Sequence, residues 1–554
     1  VIATLWALAP SLLAALAVGA WPLLLVHMLL PLLALALGRA IGLPHKVSQA
    51  SVSAAAAGGL LLLVIGAVQP VLVLLGAVAA GLIAIAAPGR RRRLLWVLLP
   101  SLALHAPYLP HYLGHPEMLL AVSGVPPTAD APSLLDLAGL WPVASGAQDL
   151  LTPLVGPIAA VLLPLLPVAP VVIAALASPL LAGAAGRAGR FSVLLAAAGL
   201  VTVLLAQRTW TAAQGGELVT PPVHGLLSAT LLALAIGAAS AFDGLARREP
   251  GDRRARRVAT SAVGAVVAAS CLVTVAGWTL LLPGQLRLER TEGGEVPAAA
   301  ADQGRTEARA RVLTLELAED GAVDAYLVVH GGDSVIQHAT IADARDVDTV
   351  AAGETVDADP ASAALRETVA GMLSRDVAAD GEQDGAGPAA HLAVAYLVVQ
   401  GDPAEQAELI RTLDSSPQLE KVTEGTRGGM WRVIDSAPRA VVTDGTDVTA
   451  LSSTVVEAAG EIPAQDAERT VVLAERADSG WRATLDGTEL EPVEVDGWAQ
   501  GFHVPAGAGG EVDVHRHQPL RLLWQLLLYS ATGLTALLSI PWRVRSRTVE
   551  EMYG

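Results

Sequence analysis

In the first half of the chain, the side chains best suited to chemistry stand close together. His111, His115 and Glu117 share one short stretch, and Asp130, Asp136 and Asp149 follow on the same stretch. Two kinds of work suit them. A carboxylate at the edge of an apolar region can act as base toward an acceptor hydroxyl. Histidine and glutamate together can also hold a divalent ion. The plainer alternative is a set of polar residues at the headgroup level of a membrane. A second group, Trp481, Asp486 and Trp498, lies near the C-terminus. Indole rings cover the C–H faces of sugars while a carboxylate accepts from their hydroxyls; the alternative is two core tryptophans and a turn aspartate. The triplets Asp346-Val347-Asp348 and Asp357-Ala358-Asp359 match the letters of a metal-holding motif, but both fall in acidic stretches and Pro360 follows the second, so both read as acidic loops. No glycine-rich phosphate loop, His-Glu-x-x-His or nucleophile elbow occurs in the sequence. His515, Arg516 and His517 precede the last apolar run and suit lipid headgroups.

The elements that must position these residues follow from composition. Of 554 residues, 53% are hydrophobic and only 16% charged, against about a quarter charged in an ordinary soluble domain. The single cysteine, Cys271, excludes an internal disulfide framework and a cysteine-based zinc site. A net charge of −17 argues against nucleic acid as a partner. Taking about 20 apolar residues as a crossing, nine spans are expected over 1–283: Val1–Ala20, Pro22–Gly38, Ser51–Val68, Val71–Ala87, Leu94–Leu109, Leu151–Ala182, Phe191–Ala206, Val223–Phe242 and Val258–Leu282. A tenth is Pro519–Ile540, within 519–541. Arginine placement supports that count. Arg39, Arg90–Arg93, Arg187, Arg190 and the six arginines of Ala246–Arg257 fall on one side, with the tail at 542–554, whereas His111–Asp149 has no Lys or Arg. Both ends are expected inside the plasma membrane and 284–518 outside. The absence of Asp or Glu deep in the first nine runs counts against proton-coupled transport.

The stretch Gly284–Gln518 is a different material. It carries 43 acidic and 17 basic residues, while the rest carries 10 and 19. Residues 284–310 read as a stalk. Residues 311–439 read as an α/β lobe, with strands at Arg311–Leu317, Ala325–His330, Leu392–Gln400 and Met430–Ile434 and helices at Ala361–Arg375 and Pro403–Asp414. Residues 440–518 read as a β-sandwich-like lobe of short runs, with tight turns at Asp486-Gly487 and Asp496-Gly497.

The stretches Val471–Gly487, Phe502–Gly507, Val394–Asp402, Gly428–Val433 and Leu113–Gly124 together resemble the membrane and outer portion of actinobacterial glycosyltransferase family 2 proteins. The resemblance implies a role in cell-envelope polysaccharide or glycolipid assembly on a polyprenyl-linked acceptor, with the bilayer and a polyprenyl-linked sugar or envelope glycan as partners. It also implies a cytoplasmic catalytic domain ahead of Val1, where the nucleotide sugar and a divalent metal would be held; no cofactor is evident in this stretch. Two alternatives remain open. One is a non-enzymatic scaffold or lipid-linked-glycan flippase with a glycan-binding outer domain. The other is a self-contained C-type glycosyltransferase, a class that uses an acidic residue in an outer loop, for which His111, His115 and Glu117 are the candidates.

Overall fold

A computed structural model describes residues 2–17, 19–42, 50–86, 92–123, 125, 136, 138, 140, 152–153, 156–162, 165–214, 217–246, 265, 268–272, 274–276, 279, 296–317, 321–328, 347–353, 360–373, 392–401, 404–425, 428–434 and 436–541. The chain divides into two compact units. One combines Val1–Leu288 with Thr340–Ala351 and Leu520–Gly554; the other combines Glu289–Ala339 with Ala352–Pro519.

The first unit is helical, and it corrects the expectation of ten crossings. Among the described residues only four helices are long and apolar enough to cross a membrane: Trp21–Ile41, Gly183–Ala206, His224–Gly244 and Arg521–Ser539. Proline explains much of the difference, because it lacks the N–H a helix needs and clashes with the preceding turn. Val1–Ala20 breaks at Pro10 into Ile2–Ala7 and Pro10–Ala17. Leu94–Leu109 forms only Leu95–His105, then a 3₁₀ turn at Ala106–Tyr108 and a short helix at Leu109–Gly114, with Pro107 and Pro110 at the breaks. Leu151–Ala182, rich in proline, shows the short helices Pro157–Leu162 and Ala169–Ala177. Val52–Val68 and Val71–Ala86 have 17 and 16 residues; at about 1.5 Å per residue they reach about 25 Å, short of a hydrocarbon core of about 30 Å. Most of Val258–Leu282 lies outside the described residues.

Small residues let these helices pack closely. A Cβ on Gly59 would collide with the Trp96 carbonyl, and one on Gly58 would stand 3.3 Å from Ala36 Cβ. Polar ties cross the interior as well. His27 stacks on Trp6 at 4.0 Å. Its Nε2 donates to the Trp6 carbonyl at 3.1 Å, and its Nδ1 accepts from Ser228 Oγ at 2.9 Å, which in turn bonds Ser11 Oγ at 3.0 Å. All three side chains are buried.

Besides a small hairpin of β1 (Ala212–Gln214) and β2 (Glu217–Val219) in the first unit, the strands belong to the second unit. Its first sheet contains β3 (Arg311–Leu317), β4 (Val323–Val328), β5 (Val394–Gln400), β6 (Leu419–Gly425) and β7 (Gly428–Val433), in the order β4-β3-β5-β7-β6. β3 pairs with β5 in parallel, which requires the intervening crossover that carries helix Pro360–Leu373. The helices Pro360–Leu373 and Ala407–Asp414 bury Met372, Leu409 and Leu413 with Leu313, Leu397 and Trp431. Helix Ala407–Asp414 shows its basis plainly: Leu409, Ile410 and Leu413 recur at helical spacing between charged residues.

Two further five-stranded antiparallel sheets follow. One orders β10 (Ser452–Ser453), β11 (Glu457–Ile462), β17 (Gly510–Arg516), β13 (Trp481–Leu485) and β14 (Thr488–Glu489). The other orders β15 (Glu491–Val495), β16 (Ala499–Val504), β12 (Arg469–Arg476), β8 (Ala440–Thr443) and β9 (Val448–Ala450). Their inner faces share one core: Val442, Val471, Leu473 and Phe502 from one sheet meet Ala483, Leu485, Val512 and Val514 from the other. Strict alternation in β13, buried at Trp481, Ala483 and Leu485, is the sandwich pattern. Asp486 and Gly487 both take positive φ (48° and 79°) in the two-residue turn joining β13 to β14. That is the geometry whose twist matches the flanking strands, and it is why Asp-Gly is favoured there.

A buried ionic clamp ties the first sheet to the sandwich within this unit. Glu475 on β12 accepts from Arg311 on β3 at 3.0 Å and from Arg439, just before β8, at 2.9 Å. Arg439 also donates to the carbonyls of Thr454 (2.6 Å) and Val455 (2.9 Å), and Arg311 donates to that of Ala474.

Candidate functional site

The stretch after helix Leu95–His105 is aromatic and imidazole-rich. Pro107 and Pro110 start new turns, so the rings lie along one path instead of one uninterrupted helix face. His105 Nδ1 lies 3.3 Å from Tyr112 Oη. His111 stands between Tyr112 and His115, with ring centroids 6.0 Å and 5.3 Å away. The chain then turns at Pro116 into a short 3₁₀ segment, Pro116–Leu120. That turn swings Glu117 back to His115, and His115 Nδ1 meets Glu117 Oε1 at 3.3 Å.

A third group arrives from far along the sequence. Asp348 Oδ2 lies 3.8 Å from the same His115 Nδ1. It is held there by packing: Val347 and Met118 are both buried, with Tyr112 and Leu218 against them. Residues 347–351 form one helical turn, and they belong to the helical unit although strands of the other unit flank them in sequence. The arrangement has a defined polarity. With Nδ1 donating to a carboxylate, the ring is fixed in the tautomer whose Nε2 accepts a proton. His115 is about one-third exposed, so that nitrogen can meet a substrate; its side-chain exposure is 31%, against 21% for Glu117. At His111, burial and then the neighbouring His115 push the imidazole below its ordinary value, against the pull of Glu117.

His111, His115 and Glu117 are therefore brought together. Asp348 is the residue the sequence reading set aside; its signal was the Asp-x-Asp lettering, and the group it stands beside is the imidazole of His115. Asp136 is buried. Asp130, Asp149, Asp346, Asp357 and Asp359 lie outside the described residues. Among the described residues, no group of three or more His, Cys, Asp or Glu side chains is placed to hold a metal ion.

The aromatic group near the C-terminus is not brought together. Trp481 and Trp498 are each only 6% exposed and belong to different cores: Trp481 to the sandwich, Trp498 to the cluster beneath the first sheet. Asp486 Oδ1 is occupied by the Glu511 N–H at 2.9 Å. No open indole face remains for a sugar at either tryptophan, and the indole of Trp481 instead lies under the guanidiniums of Arg439 and Arg516, at 5.9 Å and 5.6 Å. Arg516 pairs with Asp478 at 3.0 Å, so it serves the sandwich.

Comparison with known proteins finds no matching protein family, no matching curated protein and no matching solved structure.

Proposed function

We propose that this chain is a membrane-embedded, glycosyltransferase-like component of cell-envelope polysaccharide or glycolipid assembly that acts on a polyprenyl-linked glycan. The observation that carries this reading is the His115–Glu117–Asp348 group: an imidazole with carboxylates on Nδ1, beside a bundle of apolar helices. That pairing suits removal of a proton from a hydroxyl as it attacks the anomeric carbon of the polyprenyl-linked sugar, while the bond from that carbon to the phosphate oxygen breaks and polyprenyl phosphate leaves with the electron pair. His115 Nε2 takes the hydroxyl proton, Glu117 steadies the imidazolium that results, and Asp348 adds a second negative charge to the same nitrogen. A lipid-linked substrate fits the surroundings, because its chain can lie among apolar helices while its head reaches the imidazole. On this reading the acidic stretch 284–518 faces outward from the plasma membrane. A cysteine introduced at Asp444, on the exposed turn after β8, should then be labelled in intact cells.

The test is transfer by the full chain in nanodiscs, offered polyprenyl phosphate carrying a radiolabelled sugar and an oligosaccharide acceptor. His115→Ala should reduce turnover about 100-fold or more, and Glu117→Gln about 10-fold, in the range of a lost general base and its partner. Turnover within twofold of the parent in His115→Ala would refute the assignment.

A further inference from the structure

Another place in the helical unit has polar groups with nothing to bind. Gln69 follows helix Val52–Val68 and is fully buried, yet neither atom of its amide has a hydrogen-bond partner. His224 opens the 23-residue helix His224–Ala246, is 7% exposed, and its Nδ1 is likewise unpartnered. Gln69 lies against the residue that follows His224. A Cβ on Gly225 would stand 2.5 Å from Gln69 Oε1, so the amide presses on the first turn of that helix where only a glycine allows it. The first N–H groups of a helix have no partner inside it and carry the positive end of its dipole. Buried polar atoms in native proteins are otherwise almost always paired, so an unpaired amide and an unpaired imidazole at a helix start mark a place for something else.

The donor set says what. The first N–H groups of a helix, the Gln69 amide nitrogen and His224 Nδ1 in the tautomer that protonates it are donors; the acceptors are His224 Nε2 and the Gln69 oxygen, and the amide can turn to offer either of its atoms. A cluster dominated by donors at a helix N-terminus suits an oxyanion. Its surroundings are apolar: Leu23 packs on Gly225, and Pro221, Pro222 and Val223 are buried. The run of chain that carries the imidazole group reaches the residues directly before Gln69. Residues 116–123 lead from His115 to Ser123, whose N–H and hydroxyl bond the carbonyls of Val68 (2.8 Å) and Ala67 (2.9 Å) directly before Gln69.

We propose that Gln69, His224 and the first turn of helix His224–Ala246 bind a phosphate group, and that the phosphate is the one joining polyprenyl to sugar. This deepens the function proposed above and rests on it for the identity of the lipid; the phosphate chemistry rests on the unpaired donors alone.

The experiment uses the full chain in nanodiscs and three probes: polyprenyl monophosphate, polyprenyl alcohol and inorganic phosphate. Thermal stability and ³¹P resonance shifts are read for the parent and for Gln69→Leu, Gln69→Met and His224→Phe. The expected result is a Tm rise and a shifted ³¹P resonance with polyprenyl monophosphate and no effect of the alcohol. Gln69→Leu and His224→Phe should each weaken binding about tenfold, the loss of one charge-assisted hydrogen bond. Equal protection by inorganic phosphate would keep the phosphate site and assign it to a free anion instead of a lipid. The proposal is overturned if all three probes leave the parent unchanged, or if Gln69→Leu raises the unliganded Tm without altering binding, since that is what replacing a merely unsatisfied group by an apolar one does. Should His224→Phe fail to fold, the two Gln69 variants decide the matter. His115→Ala separates the two claims. If it abolishes transfer while the Gln69 variants still bind phosphate normally, this site fails and the function stands. If it leaves transfer intact while they lose phosphate, the function fails and the site stands.

Discussion

Replacing Arg439 by methionine tests whether the Arg311–Glu475–Arg439 clamp holds the second unit together. The Arg439 side chain is 2% exposed and donates to Glu475, Thr454 and Val455. Methionine restores much of the volume but none of the donors. The carbonyls of Thr454 and Val455 then lose their donor, but both residues are exposed and water replaces it. Glu475 keeps Arg311, so its charge is not stranded, and the loss should fall near the low end of the range for breaking a buried pair, about 3–5 kcal/mol in total. The chain has two units, so global melting would not follow a two-state transition. Amide hydrogen exchange of the intact protein reads the local opening instead. Strands β8 and β12 meet at Arg439, whose carbonyl accepts from the Ala474 N–H at 2.8 Å. Their amides should exchange roughly 100- to 1,000-fold faster, given tenfold per about 1.4 kcal/mol. Glu475→Gln alone strips the counter-charge from two buried guanidiniums, so the double variant should cost less than the sum of the two single changes. Exchange in Arg439→Met within threefold of the parent would refute the clamp, as would strict additivity.

The same clamp makes the second unit acid-sensitive. Desolvation pushes the Glu475 carboxyl up, but Arg311 and Arg439 outweigh it and hold it below the ordinary 4.5; its contribution is therefore complete above about pH 4.5 and fades as pH falls through the lowered value, so β12 protection should drop on acidification in the parent and change less in Glu475→Gln. Gly59→Ala should force apart helices Val52–Val68 and Leu95–His105 at the Trp96 carbonyl and cost about 1–3 kcal/mol, seen as a lower Tm in detergent with the second unit's exchange unchanged. Trp431 is fully buried and its Nε1 donates to Asp414 at 2.9 Å. Trp431→Phe should loosen β7 and helix Ala407–Asp414 modestly, while Trp431→Ala should cost about 3–5 kcal/mol, both read from exchange of those two segments.

Much of the second unit was legible from local pattern. The strand read over Arg311–Leu317 occurs with those bounds, and the Asp486-Gly487 turn adopts the two positive φ values its residues favour. Alternation and turn chemistry act between neighbours in sequence, so the sequence determines them alone. The helical unit was less legible, because apolar content does not say where a helix stops. Leu94–Leu109 is apolar enough on average, yet Pro107 divides it and the helix ends at His105. Side-chain roles depended most on tertiary structure. Trp481 and Trp498 are adequate sugar platforms by residue type, and only packing put each inside a different core. Asp348 was an unremarkable acidic residue until the burial of Val347 against Met118 set it beside His115. The pairing of Gln69 with the start of helix His224–Ala246 was equally invisible, since nothing in either stretch names the other. Local preferences are written in successive residues, whereas a site is made by contacts whose distance along the chain the sequence does not encode directly.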